Sequence, residues 1–218
     1  MSNLTSAVPA STRPTLVDSI FHRTLALDLA LVAAGAGLTA IAAQIVVPLW
    51  PVPMTMQTFA VLLVGTTLGP LRAVLSMALY LMLGFVGLPV FAEGLSGNIF
   101  GLSTGGFLIG FVLAVALVGR LAERAWDRRF VGTLVSFSAG TVVMYAVGLP
   151  WLYASLSNFG PAVWQDYLGY DSVLAATLGT GVLPFLLGDL LKALLAAAVI
   201  PLAWRGVKRL ERSRDADD

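Results

Sequence analysis

Asp189 and Lys192 stand three residues apart in the apolar string PFLLGDLLKALLAAA. On a helix that spacing puts both side chains on one face, where they can pair. Apart from charges near the ends of the stretches, such as Asp28, they are the only charges inside the long apolar stretches of the chain. Facing lipid, each would cost roughly 2.5–3.5 kcal/mol on an insertion scale. They must therefore face protein or a cavity. A structural ion pair that fixes helix packing is one reading. Buried pairs are poor stabilisers, and ionisable groups at membrane depth usually mark a site, so function is the stronger reading. With a helix starting near Leu183, Asp189 would lie about 9 Å and Lys192 about 13 Å along the axis.

Two further strings carry polar groups. In PLWPVPMTMQT, residues 48–58, three prolines break the chain before Thr55, Gln57 and Thr58. Amides and hydroxyls there suit a neutral polar ligand, although Thr55 alone also reads as a helix cap. In VFAEGLSGNIFGLSTGGF, residues 90–107, Ser96, Asn98, Ser103 and Thr104 offer polar groups, and Phe91, Phe100 and Phe107 offer apolar walls. The series Gly94, Gly97, Gly101, Gly105, Gly106 and Gly110 reads as a specific loop structure. Of the aromatic residues in the fifth apolar stretch, Trp151 and Tyr153 suit an interfacial belt. Tyr145 lies deeper, where it can face a pocket.

Catalysis has little support. His22, the only histidine, precedes the first apolar stretch and is remote from Ser96 and Ser103, so a serine–histidine hydrolase lacks its base. No His or carboxylate cluster suggests a metal, and no cofactor is expected. Neither Lys192 nor Lys208 sits in a phosphate-binding G-x-x-x-x-G-K-[ST] frame, so the chain carries no P-loop.

These residues must be positioned by a membrane fold. Of 218 residues 58% are hydrophobic and only 11% are charged, against roughly a quarter charged in soluble domains. The net charge of +1 argues against a nucleic-acid partner, and the lack of cysteine excludes disulfides. The chain is read as an all-α integral membrane protein with six transmembrane helices at 25–47, 56–68, 71–88, 102–121, 131–153 and 182–204, with Pro184 in the first turn of the last. Residues 1–24 would be a cytoplasmic tail, polar and mobile up to about Pro14. Residues 25–204 would form one domain, and 205–218 a charged cytoplasmic tail. Twelve of the 13 Lys and Arg fall on one side of this arrangement, and Lys192 lies within a span. The positive side faces the cytoplasm, which predicts a multi-pass protein of the cell membrane with both termini inside. The second span is too short to cross alone. Irregular backbone beside it is tolerated only where protein or a cavity shelters it.

Five strings then resemble one family: VPMTMQTFAVLLVGTTLGPLRA (52–73), YLMLGFVGLPVFAEG (80–94), STGGFLIGF (103–111), YAVGLPWL (145–152) and VLPFLLGDLLKA (182–193). In this order they resemble the BioY family, the biotin-specific substrate-binding subunits, or S-components, of energy-coupling factor (ECF) transporters. Two positions depart from the pattern. Ser103 stands where a proline commonly precedes TGG, and Leu187 where one commonly precedes Gly-Asp. The resemblance implies an ECF S-component-like fold with a pocket open to the outside. It implies capture of biotin without chemical change, and a partner module of one transmembrane coupling subunit and two ABC-type ATPases. Asp189 would then suit the N–H groups of the cyclic urea. Lys192 would meet either the urea oxygen or the acidic tail. Thr55, Gln57, Asn98 and Thr104 are secondary candidates, with Phe91 and Tyr145 packing on the ring. Ala26, Ala30, Ala33, Gly37 and Ala40 recur on one face of the first span. Such a stripe can pack inside the protein or on a partner, and the resemblance favours docking on the coupling subunit. Two other functions remain in view: a self-sufficient secondary transporter driven by protons through Asp189, and a membrane enzyme acting on a lipid or vitamin.

Overall fold

The structure is a computed structural model that describes residues 14–21 and 24–217, the side chains of 210–217 excepted. Among the described residues, seven α-helices run in the order α1 (Leu25–Ala43), α2 (Gln57–Leu68), α3 (Pro70–Phe85), α4 (Gly105–Glu123), α5 (Phe130–Phe159), α6 (Val173–Gly181) and α7 (Leu186–Asp217). A two-stranded antiparallel hairpin, β1 (Val46–Val47) and β2 (Met54–Thr55), lies between α1 and α2, with Val46 opposite Thr55. Among the described residues, four stretches are long and apolar enough to cross a membrane: Leu25–Gln44, Gly105–Glu123, Phe130–Phe159 and Val173–Arg209, the last containing α6 and most of α7.

The most enclosed of these is α4, with 61% of its apolar window buried against 22–28% for the other three, so the bundle is built around it. Val115 and Val118 of α4 meet Val61 and Val64 of α2, Met77 and Tyr80 of α3, Phe137 and Met144 of α5, and Ala196 and Trp204 of α7 in one core. Close approach is set by glycines. A Cβ on Gly119 would lie 2.5 Å from the Pro70 nitrogen, and one on Gly106 would lie 2.3 Å from Trp151 Cβ.

Helix α2 has 12 residues, or about 18 Å at 1.5 Å per residue, against a hydrocarbon core of about 30 Å. Gln57, Ala60, Val61, Leu62, Val64, Gly65, Thr66 and Leu68 of it are buried, so the short helix is sheltered by its neighbours. Gly69, at φ +80°, turns the chain directly into α3, whose first residue is Pro70. A proline there loses no hydrogen bond, because the first N–H groups of a helix have no partner within it.

Several expected boundaries differ. The glycine series divides in two. Gly94 and Gly97 sit at positive φ in the loop, whereas Gly105, Gly106 and Gly110 belong to α4 and pack against Ile99, Trp151 and Met144. The fourth helix therefore begins at Gly105, not near Leu102. The stretch read as a loop at 154–181 is largely helical: α5 continues to Phe159, one π-helical turn covers Ala162–Tyr167, and α6 follows. Pro184 lies in the turn before α7, which begins at Leu186. That puts Asp189 only about 4.5 Å and Lys192 about 9 Å along the helix axis. Beyond 204 the chain stays helical, and Val207 is buried.

Arg13, His22 and Arg23 lie outside the described residues, as does most of the expected N-terminal tail. Its described part packs on the arginine-rich end of the bundle. Thr15 is buried, and Leu16 and Val17 join the core. Arg72 pairs with Asp18 at 2.8 Å and with Asp28 at 2.5 Å, which ties this segment and α1 to α3. Arg128 donates to the Pro14 carbonyl and stacks over the Trp204 ring at 4.2 Å. Trp204 Nε1 in turn donates to Asp127 Oδ2 at 2.5 Å.

Asp127 lies in the turn between α4 and α5, and burial pushes its carboxyl up to about 6, against the pull of Trp204 and Arg128. The folded pKa exceeds the ordinary value of 3.8, so the folded chain holds a proton that the unfolded chain releases between those values. The contribution of this group to stability is present in full below the ordinary value and is lost as the pH rises through the folded one. Asp127→Asn is expected to remove that loss. Thermal unfolding should show a midpoint that falls less steeply between about pH 4 and pH 6 than in the parent chain. Parallel slopes would contradict it.

Candidate ligand-binding site

Away from the arginine-rich end, the bundle encloses a cavity of about 270 Å³. This is close to the lower end of small-molecule pockets, which run from about 300 Å³ upward. Its walls come from the β1–β2 hairpin, the start of α2, the loop between α3 and α4, and α4, α5 and α7. Asp189 and Lys192 reach it from α7. Their side chains are 13% and 12% exposed and lie 3.4 Å apart.

Every N–H of Lys192 is used. Nζ donates to the Thr55 carbonyl at 2.9 Å, to Thr58 Oγ1 at 2.9 Å and to Asp189 Oδ1 at 3.4 Å. An ammonium has three donors and no acceptor, so this set is complete. The Thr55 carbonyl is available because the strand ends there and α2 begins two residues later, before helical bonds can claim it. The other oxygen of Asp189, Oδ2, accepts a short hydrogen bond from the Tyr145 hydroxyl of α5. A carboxylate has about four lone-pair sites. Two are occupied here, so Asp189 keeps room for about two further donors on the cavity side.

Polar contacts also fasten the rest of the wall. Thr55 Oγ1 donates to Gln57 Oε1 at 3.0 Å, and Gln57 Nε2 donates to the Tyr80 hydroxyl at 2.6 Å. Tyr80 donates to the Val90 carbonyl at 3.1 Å. Gln44 donates to the Phe91 carbonyl at 3.1 Å, and Trp151 Nε1 to the Leu102 carbonyl at 3.0 Å. The hairpin tip is held by Trp50, whose ring lies 5.5 Å from Tyr167 and 6.2 Å from Phe159. Apolar surface comes from Phe91, Phe107, Phe111, Met144 and Phe185.

Of the residues singled out in the sequence, Asp189, Lys192, Thr55, Gln57, Phe91, Thr104 and Tyr145 line the cavity together. Asn98 does not. It is exposed, and its side chain caps the 3₁₀ turn at Phe100 N, 3.0 Å away. Trp151 is half-buried and pins the loop, whereas Tyr153 is exposed. Ser103, at the departure from the family pattern, lines the cavity, while Leu187 is exposed. Sequence reasoning missed Tyr80 and the part Trp50 plays. The signal for Tyr80 was a phenol in an apolar helix, which burial allows only when its hydroxyl is bonded. Ala26, Ala30, Ala33 and Gly37 are exposed on α1 and Ala40 is half-buried, while Gly35, Ala36, Thr39, Ala42 and Ala43 face the bundle. Among the described residues no group of three His, Cys, Asp or Glu gathers as for a metal.

The model of the BioY family matches residues 12–209. A protein of Thermotoga maritima described as "Biotin transporter BioY" is 36% identical over 178 residues, covering 81% of this chain and 93% of the relative. A "Probable biotin transporter BioY" of Pyrococcus horikoshii is 36% identical over 175 residues, covering 79% of this chain and 92% of the relative. Among solved structures, the S-component for biotin from an ECF-type ABC transporter superposes with a TM-score of 0.66 at 24% identity, covering 86% of this chain and 92% of that one.

Proposed function

The chain belongs to the BioY family, and on that premise we propose that it captures biotin from outside the cell and passes it inward as the substrate-binding subunit of an ECF-type transporter. The observation that carries the reading is the setting of Asp189. Tyr145 and Lys192 hold its two oxygens and leave acceptor sites toward the cavity. That is the complement of a cyclic urea with two N–H donors. Lys192 has no free donor, so it acts first by holding Asp189 in place. A biotin oxygen reaches it only by replacing one of its present partners. The phenylalanines of the cavity suit the thioether ring, and Thr55, Gln57 and Thr104 supply further polar groups at the wall. The ligand passes through without a chemical step.

Six crossings fit this role, with α2 sheltered by its neighbours, α3 presenting one face outward, and α6 with α7 as the last. The end that carries Arg72, Arg120, Arg124, Arg128, Arg129, Arg205, Lys208 and Arg209 faces the cytoplasm, and the cavity faces out. Both termini are then inside, in the cell membrane. Energy comes from outside the chain, through a coupling subunit and two ATPases, in keeping with the missing P-loop. Asn98 is not proposed as a ligand contact.

Calorimetry on the purified chain tests the reading, with a panel of other vitamins as controls. Biotin alone should bind, and Asp189→Asn or Lys192→Ala should weaken it at least about tenfold, or about 1.4 kcal/mol. Parent-like affinity in both folded variants would reduce the pair to a structural role. Uptake into proteoliposomes driven by a pH gradient alone would favour a secondary transporter instead.

The exposed stripe on α1 supports docking on the coupling subunit, since small side chains permit close helix approach in lipid. Ala30→Trp or Ala33→Trp should abolish ATP-driven uptake and co-purification with the coupling module while biotin binding to the isolated chain stays intact. Loss of binding together with docking would mean that the stripe is internal to the fold.

A further inference from the structure

We propose that Tyr80 is a positioning residue. It holds the loop between α3 and α4 and the Lys192 cluster in one fixed relation, through a directed chain of hydrogen bonds behind the cavity wall. The proposal rests on the biotin reading only for what fills the cavity. Tyr80 does not line it, and its side chain is fully buried within α3.

The direction of the chain follows from its ends. The Val90 carbonyl can only accept, so the Tyr80 hydroxyl must donate to it. The Tyr80 oxygen is then left to accept, which obliges Gln57 to present its NH₂ side. Gln57 Oε1 therefore faces the Thr55 hydroxyl, which donates to it. The same hydroxyl oxygen accepts from Gln57 N at 3.2 Å, which fixes the backbone where α2 begins. The Thr55 carbonyl is the Lys192 acceptor. At the other end, Val90 leads into Phe91, whose ring stacks edge-on against Tyr80 at 5.5 Å and forms part of the cavity wall. One phenol thus lies between the residue that holds the charged pair and the residue where the loop closes over the cavity. A phenylalanine would fill the same space, so the hydroxyl is explained by the bonds and not by packing.

The test uses the full chain, purified without ligand, in four forms: parent, Tyr80→Phe, Thr55→Val and Thr55→Ser. Hydrogen exchange is followed at residues 88–104, alongside biotin affinity and the thermal midpoint. Tyr80→Phe should bind biotin about tenfold more weakly and exchange loop amides at least about threefold faster. Thr55→Val should also speed the loop, although its hydroxyl bonds to Gln57 and not to the loop, and Thr55→Ser should restore the parent rate. Parent-like loop exchange in both Tyr80→Phe and Thr55→Val overturns the proposal, as does a lowered midpoint with loop and affinity unchanged. Weakened binding with an unchanged loop overturns it too. If Tyr80→Phe does not fold, the contrast between the two Thr55 variants decides. If the parent chain fails to bind biotin, the biotin reading falls while loop exchange in the ligand-free variants still decides the role of Tyr80.

Discussion

An ammonium inside a bundle with a lipid-facing exterior must find acceptors within the protein, and Lys192 finds two of its three near the start of α2 and the third, Asp189, on its own helix. This one requirement accounts for much of the architecture around it. A carbonyl inside a helix is already bonded to an N–H four residues on, so it is poorly placed to serve. A helix that begins at that depth leaves its preceding carbonyl free. Thr55 meets this need because β2 ends there, and Thr58 adds a hydroxyl from the first turn of α2. Helix α2 is thus short on the cavity side, and the β1–β2 hairpin fills the level that a longer helix would occupy. The hairpin is covered where Val52 packs with Leu152 and Leu156 of α5 and Ala176 of α6, and where Met54 meets Gly188 of α7, as irregular backbone at membrane depth must be.

The cavity follows from the same choice. Its floor is rigid: Asp189, Lys192, Tyr145 and Thr58 lie on three different helices and hold one another. Its cover is made of loops, and each loop is pinned at a few points. Trp50 fastens the hairpin to the end of α5 and the π-helical turn. Trp151 fastens the far end of the α3–α4 loop at Leu102, while Gln44 and Tyr80 fasten its near end at Phe91 and Val90. Between those pins, Gly97 N donates to the Gly84 carbonyl at 2.7 Å, Ile99 packs on the core, and Glu93 sits at φ +59°. A rigid floor under a locally pinned cover suits a ligand that enters from the cover side. At the opposite end the Arg72 and Trp204 clusters brace the N-terminal segment, α1, α3 and α7, so the two ends of the bundle are stiffened by separate networks.

Much of this was legible in the residues. Charges inside apolar strings identified Asp189 and Lys192, because a charge that faces lipid is costly and is rarely kept without a role. Proline clustering before Thr55 identified the broken entry to α2. What stayed hidden has physical reasons. Hydropathy does not separate a loop-like stretch from a short amphiphilic helix, so the helical character of residues 162–181 was missed. Glycine serves close packing as well as turns, and the series from Gly94 to Gly110 mixes the two. Asn98 carries the right chemistry, but its side chain is spent locally on capping Phe100. A backbone carbonyl as the partner of Lys192 leaves no trace in residue types, and neither does the direction of a hydrogen-bond chain through Tyr80.

On the proposed function, the Asp189–Lys192 pair exists for ligand capture and contributes little to holding the bundle together. The direct measurement replaces both charges with apolar residues of similar size, Asp189→Leu with Lys192→Met, and reads thermal stability and biotin binding together. Asp189→Leu alone strands a buried ammonium and should cost about 3–5 kcal/mol. The double variant should recover most of that loss, since the acceptors of Lys192 can turn to cavity water, and it should bind no biotin. A double variant as unstable as the single one would make the pair structural, and a double variant that still binds biotin would place the binding site elsewhere.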